Sequence, residues 1–182
     1  MALSSTLYRF KLSVSDVDRG FYDTLDLRVA MHPSETEVFM LTRVIAYALN
    51  YEDGLEFTSG LQTPDEPAIR KLGEHGNIAK WIDIGNPAAK RLHKASKASD
   101  VVCVYTYKDP ENLKREAAGE NIHHADQIQV FAIEQKFLES LGSFLKRDNT
   151  WNLIHNEGEL IIGSGDESFT STLARHSLLS SN

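Results

Sequence analysis

The stretch Val101-Val102-Cys103-Val104-Tyr105, continuing to Tyr107, is apolar almost throughout. A strand without polar alternation has both faces covered, so this run predicts a central strand with other layers packed on either side of its sheet. The flanking sequence supplies those layers. From about Pro87 to Ser99 a helical period places Ala88, Leu92 and Ala95 on one side, with Gly85 and Pro87 bounding its start. Pro110 to about Gly119 predicts a short helix, Ile128 to Ile133 a strand, and Glu134 to Lys146 a helix with Phe137, Leu138, Leu141 and Leu145 inward.

Upstream, His32-Pro33-Ser34-Glu35-Thr36-Glu37 opens a helix that runs to about Asn50. Ser34 and Glu37 have capping-box spacing, while Pro33 in the first turn moves the cap to His32. The inner face carries Leu41, Val44, Ile45 and Ala48, and Val38, Tyr47 and Leu49 widen it enough to imply burial on more than one side. Three short strands follow, Leu55 to Ser59, Ala68 to Leu72 and Ile78 to Ile84, separated by turns containing Gly60, Pro64, Pro67, Gly73 and Gly76. The middle of the chain therefore reads helix, three strands, helix, strand.

Period-2 alternation occupies both ends. Tyr8, Phe10, Leu12 and Val14 interleave with Arg9, Lys11, Ser13 and Ser15; Leu25, Leu27 and Val29 interleave with Thr24, Asp26 and Arg28. Asp16, Asp18 and Gly20 join the two runs, as in an antiparallel pair. Trp151 to His155 and Glu159 to Ile162 flank the hairpin signal Asn156-Glu157-Gly158, and Ser168 to Arg175 alternates again before Ser180-Ser181-Asn182 frays. These terminal strands either extend the central sheet or form a separate β layer. The length of 182 residues, with 41% hydrophobic and 25% charged residues, fits one globular domain over 1–182 of the mixed-sheet α/β (α+β) class.

The charge balance limits function. Nineteen Lys and Arg against 26 Asp and Glu leave a net charge of −7, which excludes indiscriminate coating of nucleic acid and of acidic membranes. The most apolar window, Val38 to Leu49, is interrupted by Thr42 and Arg43, so no membrane span is expected; Met1 to Thr6 has no signal-peptide pattern, and a cytoplasmic location follows. Cys103 is the single cysteine, which precludes an internal disulfide or a cysteine zinc site and fits a small buried hydrophobe.

Four carboxylates stand out: Glu35 at the start of the first helix, Asp65 and Glu66 before the second short strand, and Asp83 at the end of the third. Carboxylates at neighbouring strand ends suit a hard divalent cation, Mg²⁺ or Mn²⁺, able to activate water and neutralise a phosphate. Asp65-Glu66 between two prolines equally suits a turn. Asp83, inside Trp81-Ile82-Asp83-Ile84-Gly85, is different: a charge among apolar neighbours needs a partner. The following helix supplies Lys90, Arg91, Lys94 and Lys97 without one acidic residue, and Lys90, Lys94 and Lys97 form a stripe. Such a stripe is either a solvated face or a phosphate and nucleic-acid contact. His123-His124 reads as a surface turn with its rings apart, and Gly163-Ser164-Gly165-Asp166 as a flexible loop. No Gly-x-Ser-x-Gly elbow is present.

The blocks His32-Pro33-Ser34-Glu35-Thr36, Phe57-Thr58-Ser59-Gly60-Leu61, Asp65-Glu66-Pro67 and Trp81-Ile82-Asp83-Ile84-Gly85, then Pro87, Arg91 and Lys94-Ala95, resemble the YaeQ family of bacterial proteins. The resemblance extends over nearly the whole chain, including Met1-Ala2-Leu3. It implies a divergent PD-(D/E)XK, restriction-endonuclease-like fold, an αβββαβ core with added N- and C-terminal β-strands. It also implies metal ligation by Glu35, by Asp65 or Glu66, and by Asp83, together with a connection to transcription machinery. Where the superfamily carries its lysine, two residues after Asp83, this chain has Gly85; Lys94, or else Arg91, is the substitute, giving a catalytic set of Glu35, Asp83 and Lys94. Three functions follow as expectations: a Mg-dependent nuclease-like phosphodiesterase, a catalytically inactive protein of the same fold that binds nucleic acid or a transcription complex, and an adaptor that does neither.

Overall fold

The computed structural model describes residues 4–59 and 65–179. The expected turn residues Gly60 and Pro64, the block residue Leu61, the opening Met1-Ala2-Leu3 and the tail Ser180-Ser181-Asn182 lie outside the described residues. In chain order the elements are β1 (Thr6–Asp16), β2 (Phe21–Met31), α1 (Glu37–Asn50), β3 (Leu55–Phe57), β4 (Ile69–Leu72), β5 (Ile78–Ile84), α2 (Ala89–Ala98) and β6 (Ser99–Thr106). They continue with α3 (Pro110–Ala118), β7 (Gln129–Ile133), α4 (Gln135–Ser143), β8 (Asp148–Asn156), β9 (Glu159–Ser164) and β10 (Glu167–Ser177). The chain divides into two compact units, residues 1–49 with 133–173, and residues 50–132 with 174–182.

In the first unit the strands run in the order β2-β1-β8-β9-β10. The terminal alternating runs thus pair with one another. β1 and β2 are antiparallel along their full length, from Thr6 opposite Met31 to Asp16 opposite Phe21, and β8 lies parallel to β1. Strict alternation fixes this register, since a slip of one residue would turn Phe10, Leu12 and Val14 outward. Those three side chains are buried with Leu25, Leu27 and Val29 of β2 and Trp151 and Leu153 of β8. The Phe10 and Trp151 rings meet edge to face, 5.4 Å between centroids. The expected hairpin joins β8 and β9 through two residues, Asn156 belonging to β8, and Glu157 and Gly158 both have positive φ, 48° and 76°, as such a turn requires. Gly163-Ser164-Gly165-Asp166 is not a loop: Gly163 and Ser164 complete β9, and only Gly165 and Asp166 make the turn into β10.

Burial of α1 on more than one side holds, because every residue from Met40 to Leu49 is buried. Its start differs from the expectation. Ser34 Oγ is engaged with His32 Nδ1, whereas Thr36 Oγ1 accepts the Phe39 N–H, so Thr36 caps the helix and Glu35 precedes it.

The second unit orders its strands β7-β6-β5-β4-β3, with β3, β4 and β5 antiparallel in turn and β5, β6 and β7 parallel. As its composition predicts, β6 is interior, with Val102 to Thr106 all buried. Leu92 and Ala95 of α2 and Leu113 and Ala117 of α3 pack with Trp81, Val102, Val104 and Val130. Asp109 accepts the Glu111 N–H and Pro110 occupies the first helical position, so α3 starts with both signals a helix N-terminus favours. The backbone at His124 is left-handed, φ 45°, and brings the His123 and His124 rings to 4.0 Å, correcting the expectation that they point apart.

Burial raises the Cys103 thiol from an ordinary 9.0 to about 11. A group whose folded value is raised contributes fully below its unfolded value and loses that contribution as pH climbs through the folded one. Folding free energy is therefore expected to fall by on the order of 2 kcal/mol between pH 9 and pH 11, a slope absent from Cys103→Ala in denaturant titrations. The native thiol is also expected to resist alkylation at neutral pH.

Candidate functional site

The end of β5 and the first turns of α2 build the site. Trp81 and Asp83 fall two residues apart on β5, on one face, and both are buried. The connection to α2 is fixed. Gly85 N–H donates to the Tyr105 carbonyl, and Asn86 accepts from Thr106 Oγ1 while donating to the Asp109 carbonyl. Gly85 has φ 85°, and a Cβ there would meet nothing within 4 Å. The left-handed backbone, not crowding, selects glycine at the position where the superfamily lysine is expected.

Held in this way, α2 turns Arg91 back onto β5. Its Nε donates to Asp83 Oδ2 and its Nη2 to Asp83 Oδ1, both at 2.8 Å, and Nη2 also donates to the Glu66 carbonyl at 2.7 Å. The Asp83 side chain is 4% exposed and that of Arg91 30%. The hydrogen bond to Asp83, followed by charge attraction, raises the Arg91 guanidinium above its usual value despite burial. The guanidinium also lies 5.5 Å from the Trp81 ring centroid, and the buried Trp81 Nε1–H has no hydrogen-bond partner among the described residues.

The neighbouring carboxylates are likewise matched with cations. Lys94 pairs with Asp65, and this hydrogen bond, then the lysine's charge, lowers the exposed Asp65 carboxyl. Glu66 accepts from Arg70 Nη1 at 3.2 Å and from Ser59 Oγ at 3.4 Å. In the first unit, Glu35 receives Arg43 Nε on Oε1 and Nη2 on Oε2, each at 3.0 Å, and also accepts the His32 N–H. Desolvation raises the Glu35 carboxyl in spite of Arg43, and it lowers Arg43 in spite of Glu35.

Mg²⁺ or Mn²⁺ needs carboxylate oxygens facing a cation-free space. Here both oxygens of Asp83 and both of Glu35 receive guanidinium hydrogens, and among the described residues no three His, Cys, Asp or Glu form a group able to hold a metal. The residues as placed do not fit a divalent cation. Asp65, Glu66, Asp83, Arg91 and Lys94 do come together in the second unit, while Glu35 belongs to the first. Lys90, Lys94 and Lys97 are exposed along α2, and Lys90 and Lys97 have no ion pair among the described residues.

Two participants had a sequence signal that spacing does not convey. Arg43 interrupts the most apolar window of the chain, and a lone guanidinium there requires a buried acid. Asp16, 1% exposed, receives Arg19 Nε at 2.8 Å and contacts His155 Nδ1 at 3.0 Å. That network ties the β1–β2 turn to the β8–β9 hairpin, where Glu157 N–H donates to Asp18.

A mixed α/β protein emerges whose acidic strand-end residues are each covered by a basic side chain, with a lysine-bearing helix beside them. The family model described as YaeQ protein matches residues 1–173, and the chain belongs to that family. It is 36% identical over 107 residues to the uncharacterized protein YaeQ of Escherichia coli (strain K12) and, at the same identity, to that of Shigella flexneri. Each match covers 59% of this chain, and the chain spans 59% of the length of these curated relatives. Solved structures align more completely. The YaeQ protein of Xanthomonas axonopodis pv. citri superposes with TM-score 0.87 at 31% identity, covering 94% of this chain and 98% of that one. That of Pseudomonas syringae gives 0.85 at 29% identity, covering 94% and 95%. No helix among the described residues is long and apolar enough to cross a membrane.

Proposed function

We propose that this chain keeps a restriction-endonuclease-like core without metal-dependent hydrolysis, and that it binds nucleic acid through the lysine row of α2. The observation that carries the reading is the two-bonded Arg91–Asp83 pair, in which a guanidinium takes both oxygens of a carboxylate expected to ligate metal. Support for the core comes from the order α1-β3-β4-β5-α2-β6, with three antiparallel strands followed by a parallel one. The binding surface is supported by Lys90, Lys94 and Lys97 at spacings of four and three on a helix with no acidic residue, in a chain of net charge −7. The charge asymmetry favours one restricted contact over general coating. Glu35 then serves to anchor the start of α1, and Glu66 to orient Arg91 through its carbonyl.

Fluorescence anisotropy with labelled single-stranded DNA, duplex DNA and RNA tests the proposal. Lys90→Glu/Lys97→Glu is expected to weaken binding at least about tenfold and to reduce the slope of log K against log salt by roughly 2. Calorimetric titration of Mn²⁺ into the wild type is expected to show no binding. Undiminished affinity in the double variant, or Mn²⁺-dependent cleavage abolished by Asp83→Asn, would sink the reading.

A further inference from the structure

β2 is the outermost strand of the first unit: it pairs with β1 along its whole length and, among the described residues, with no strand on its other side. The hydrogen bonds around it show which of its groups face that free edge. The Arg9 N–H donates to the Arg147 carbonyl just before β8, so Arg9 turns its main-chain groups away from β2, and its partner Arg28 turns its own N–H and C=O to the free edge. By the period of two, Thr24, Asp26 and Ala30 do the same. Two of these groups are already taken, the Thr24 N–H by Asp23 Oδ1 at 2.7 Å and the Ala30 carbonyl by Arg43 Nη2 at 3.0 Å. Between those two points, Asp26 and Arg28 have no main-chain partner on that side among the described residues.

The side chains at the same two positions are exposed on the outer face of the sheet. Arg28 stands directly opposite Arg9, an unfavourable like-charge neighbour. Arg9 is compensated, with Asp148 opposite it on β8 and both its Nε and Nη2 on Asp26. Arg28 has no salt bridge among the described residues, and an acid directly beside it, away from Arg9, has to come from across the free edge.

A second copy of β2, running antiparallel about a two-fold axis, meets these groups in three registers. Centred on Asp26, it sets two aspartates face to face; centred on Arg28, it sets two arginines face to face, and either arrangement is destabilising. Centred on Leu27, it sets Asp26 against the partner's Arg28 and Arg28 against the partner's Asp26. Each of those pairs then exchanges both N–H···O bonds, while the buried Leu27 lies on the axis. The partner's Asp26 also arrives where the Arg9–Arg28 pair lacks an acid. An isologous contact of this kind closes on itself.

We infer that this chain forms a two-fold dimer in which the β2 strands of two copies pair antiparallel about Leu27, so that the sheet runs from one protomer into the other. Charges on an edge strand ordinarily keep other chains away. Asp26 and Arg28 exclude every register but this one, and Asp23 and Arg43 limit its length. One strand on each side makes a contact at the low end of specific interfaces, and the dissociation constant is expected to be on the order of 10–100 μM. No residue of α2 takes part.

Sedimentation equilibrium of the full chain from about 1 μM to about 500 μM tests the inference. Wild type is expected to pass from monomer to dimer over that range. R28D and D26R are each expected to weaken self-association at least about tenfold, because each sets like charges opposite one another across the axis. Mixed in equal amounts, the two variants are expected to form a heterodimer with wild-type affinity, since each supplies the charge the other lacks. R28K keeps the charge and is expected to dimerise as wild type does. Circular dichroism and thermal melting check the fold of every variant; should D26R fail to fold through loss of the Arg9 pair, R28D and R28K decide alone. Wild type monomeric throughout, R28D dimerising as well as wild type, R28K as impaired as R28D, or folded variants that associate no better mixed than apart would each overturn the inference.

Discussion

Arg43→Met is expected to cost about 3–5 kcal/mol of folding free energy, seen as a large drop in the midpoint of urea denaturation at constant m. The reason is the company Arg43 keeps. Its side chain is 6% exposed and that of Glu35 3%, so removing the guanidinium leaves a carboxylate with no water to replace the lost bonds. The Ala30 carbonyl loses a donor as well. Replacing both partners, as in Glu35→Leu/Arg43→Met, is expected to recover most of the loss, because a buried pair recovers little more than its own desolvation cost. Recovery stays incomplete because the His32 N–H loses its acceptor.

The same pair has a pH signature. Burial raises the Glu35 carboxyl above its usual 4.5, so this group's contribution is full below that value and declines as pH rises through the folded one. Without Arg43 the carboxyl rises further and the decline deepens. The penalty of Arg43→Met is therefore expected to be larger at neutral pH than near pH 4.5. Equal penalties at the two pH values would show that burial does not dominate Glu35.

Arg91→Met is expected to cost about 2–3 kcal/mol, less than Arg43→Met, since the 30% exposure of Arg91 lets water reach part of what it vacates. It strips two bonds from Asp83 and one from the Glu66 carbonyl. Its second consequence is functional. With the guanidinium gone, the Asp83 oxygens and the Glu66 carbonyl become available to a hard cation, and Mn²⁺ is expected to raise the melting temperature of the variant while leaving wild type unchanged. A variant as stable as wild type, or equally indifferent to Mn²⁺, would remove Arg91 from its assigned role.

Much of the fold was legible because period and burial coincide. The apolar pattern from Ile78 to Ile84 has the same bounds as β5, and the apolar run around Cys103 lies within β6. The terminal alternations gave the strands of the first unit, although their period does not determine which strands pair. The start of α1 is not legible in the pattern, because Ser34 and Glu37 imitate a capping box while the Ser34 oxygen is engaged with His32. At the site, the sequence shows the acids and the basic helix but not which cation meets which acid. Arg43 and Arg91 each reach back eight residues across a turn, a distance that no helical or strand period marks. Composition could show only that such acids need partners; tertiary geometry gives both Glu35 and Asp83 a guanidinium.

The backbone at Gly85 also limits what the turn before α2 can accept. A lysine at this position, Gly85→Lys, would force a side chain into φ 85°, a strain of about 1–2 kcal/mol. Relieving the strain means rebuilding the turn that fixes Asn86 and aims Arg91. A side chain at position 85 is thus coupled to the aim of the Arg91 guanidinium, so the turn and the Arg91–Asp83 pair can only change together.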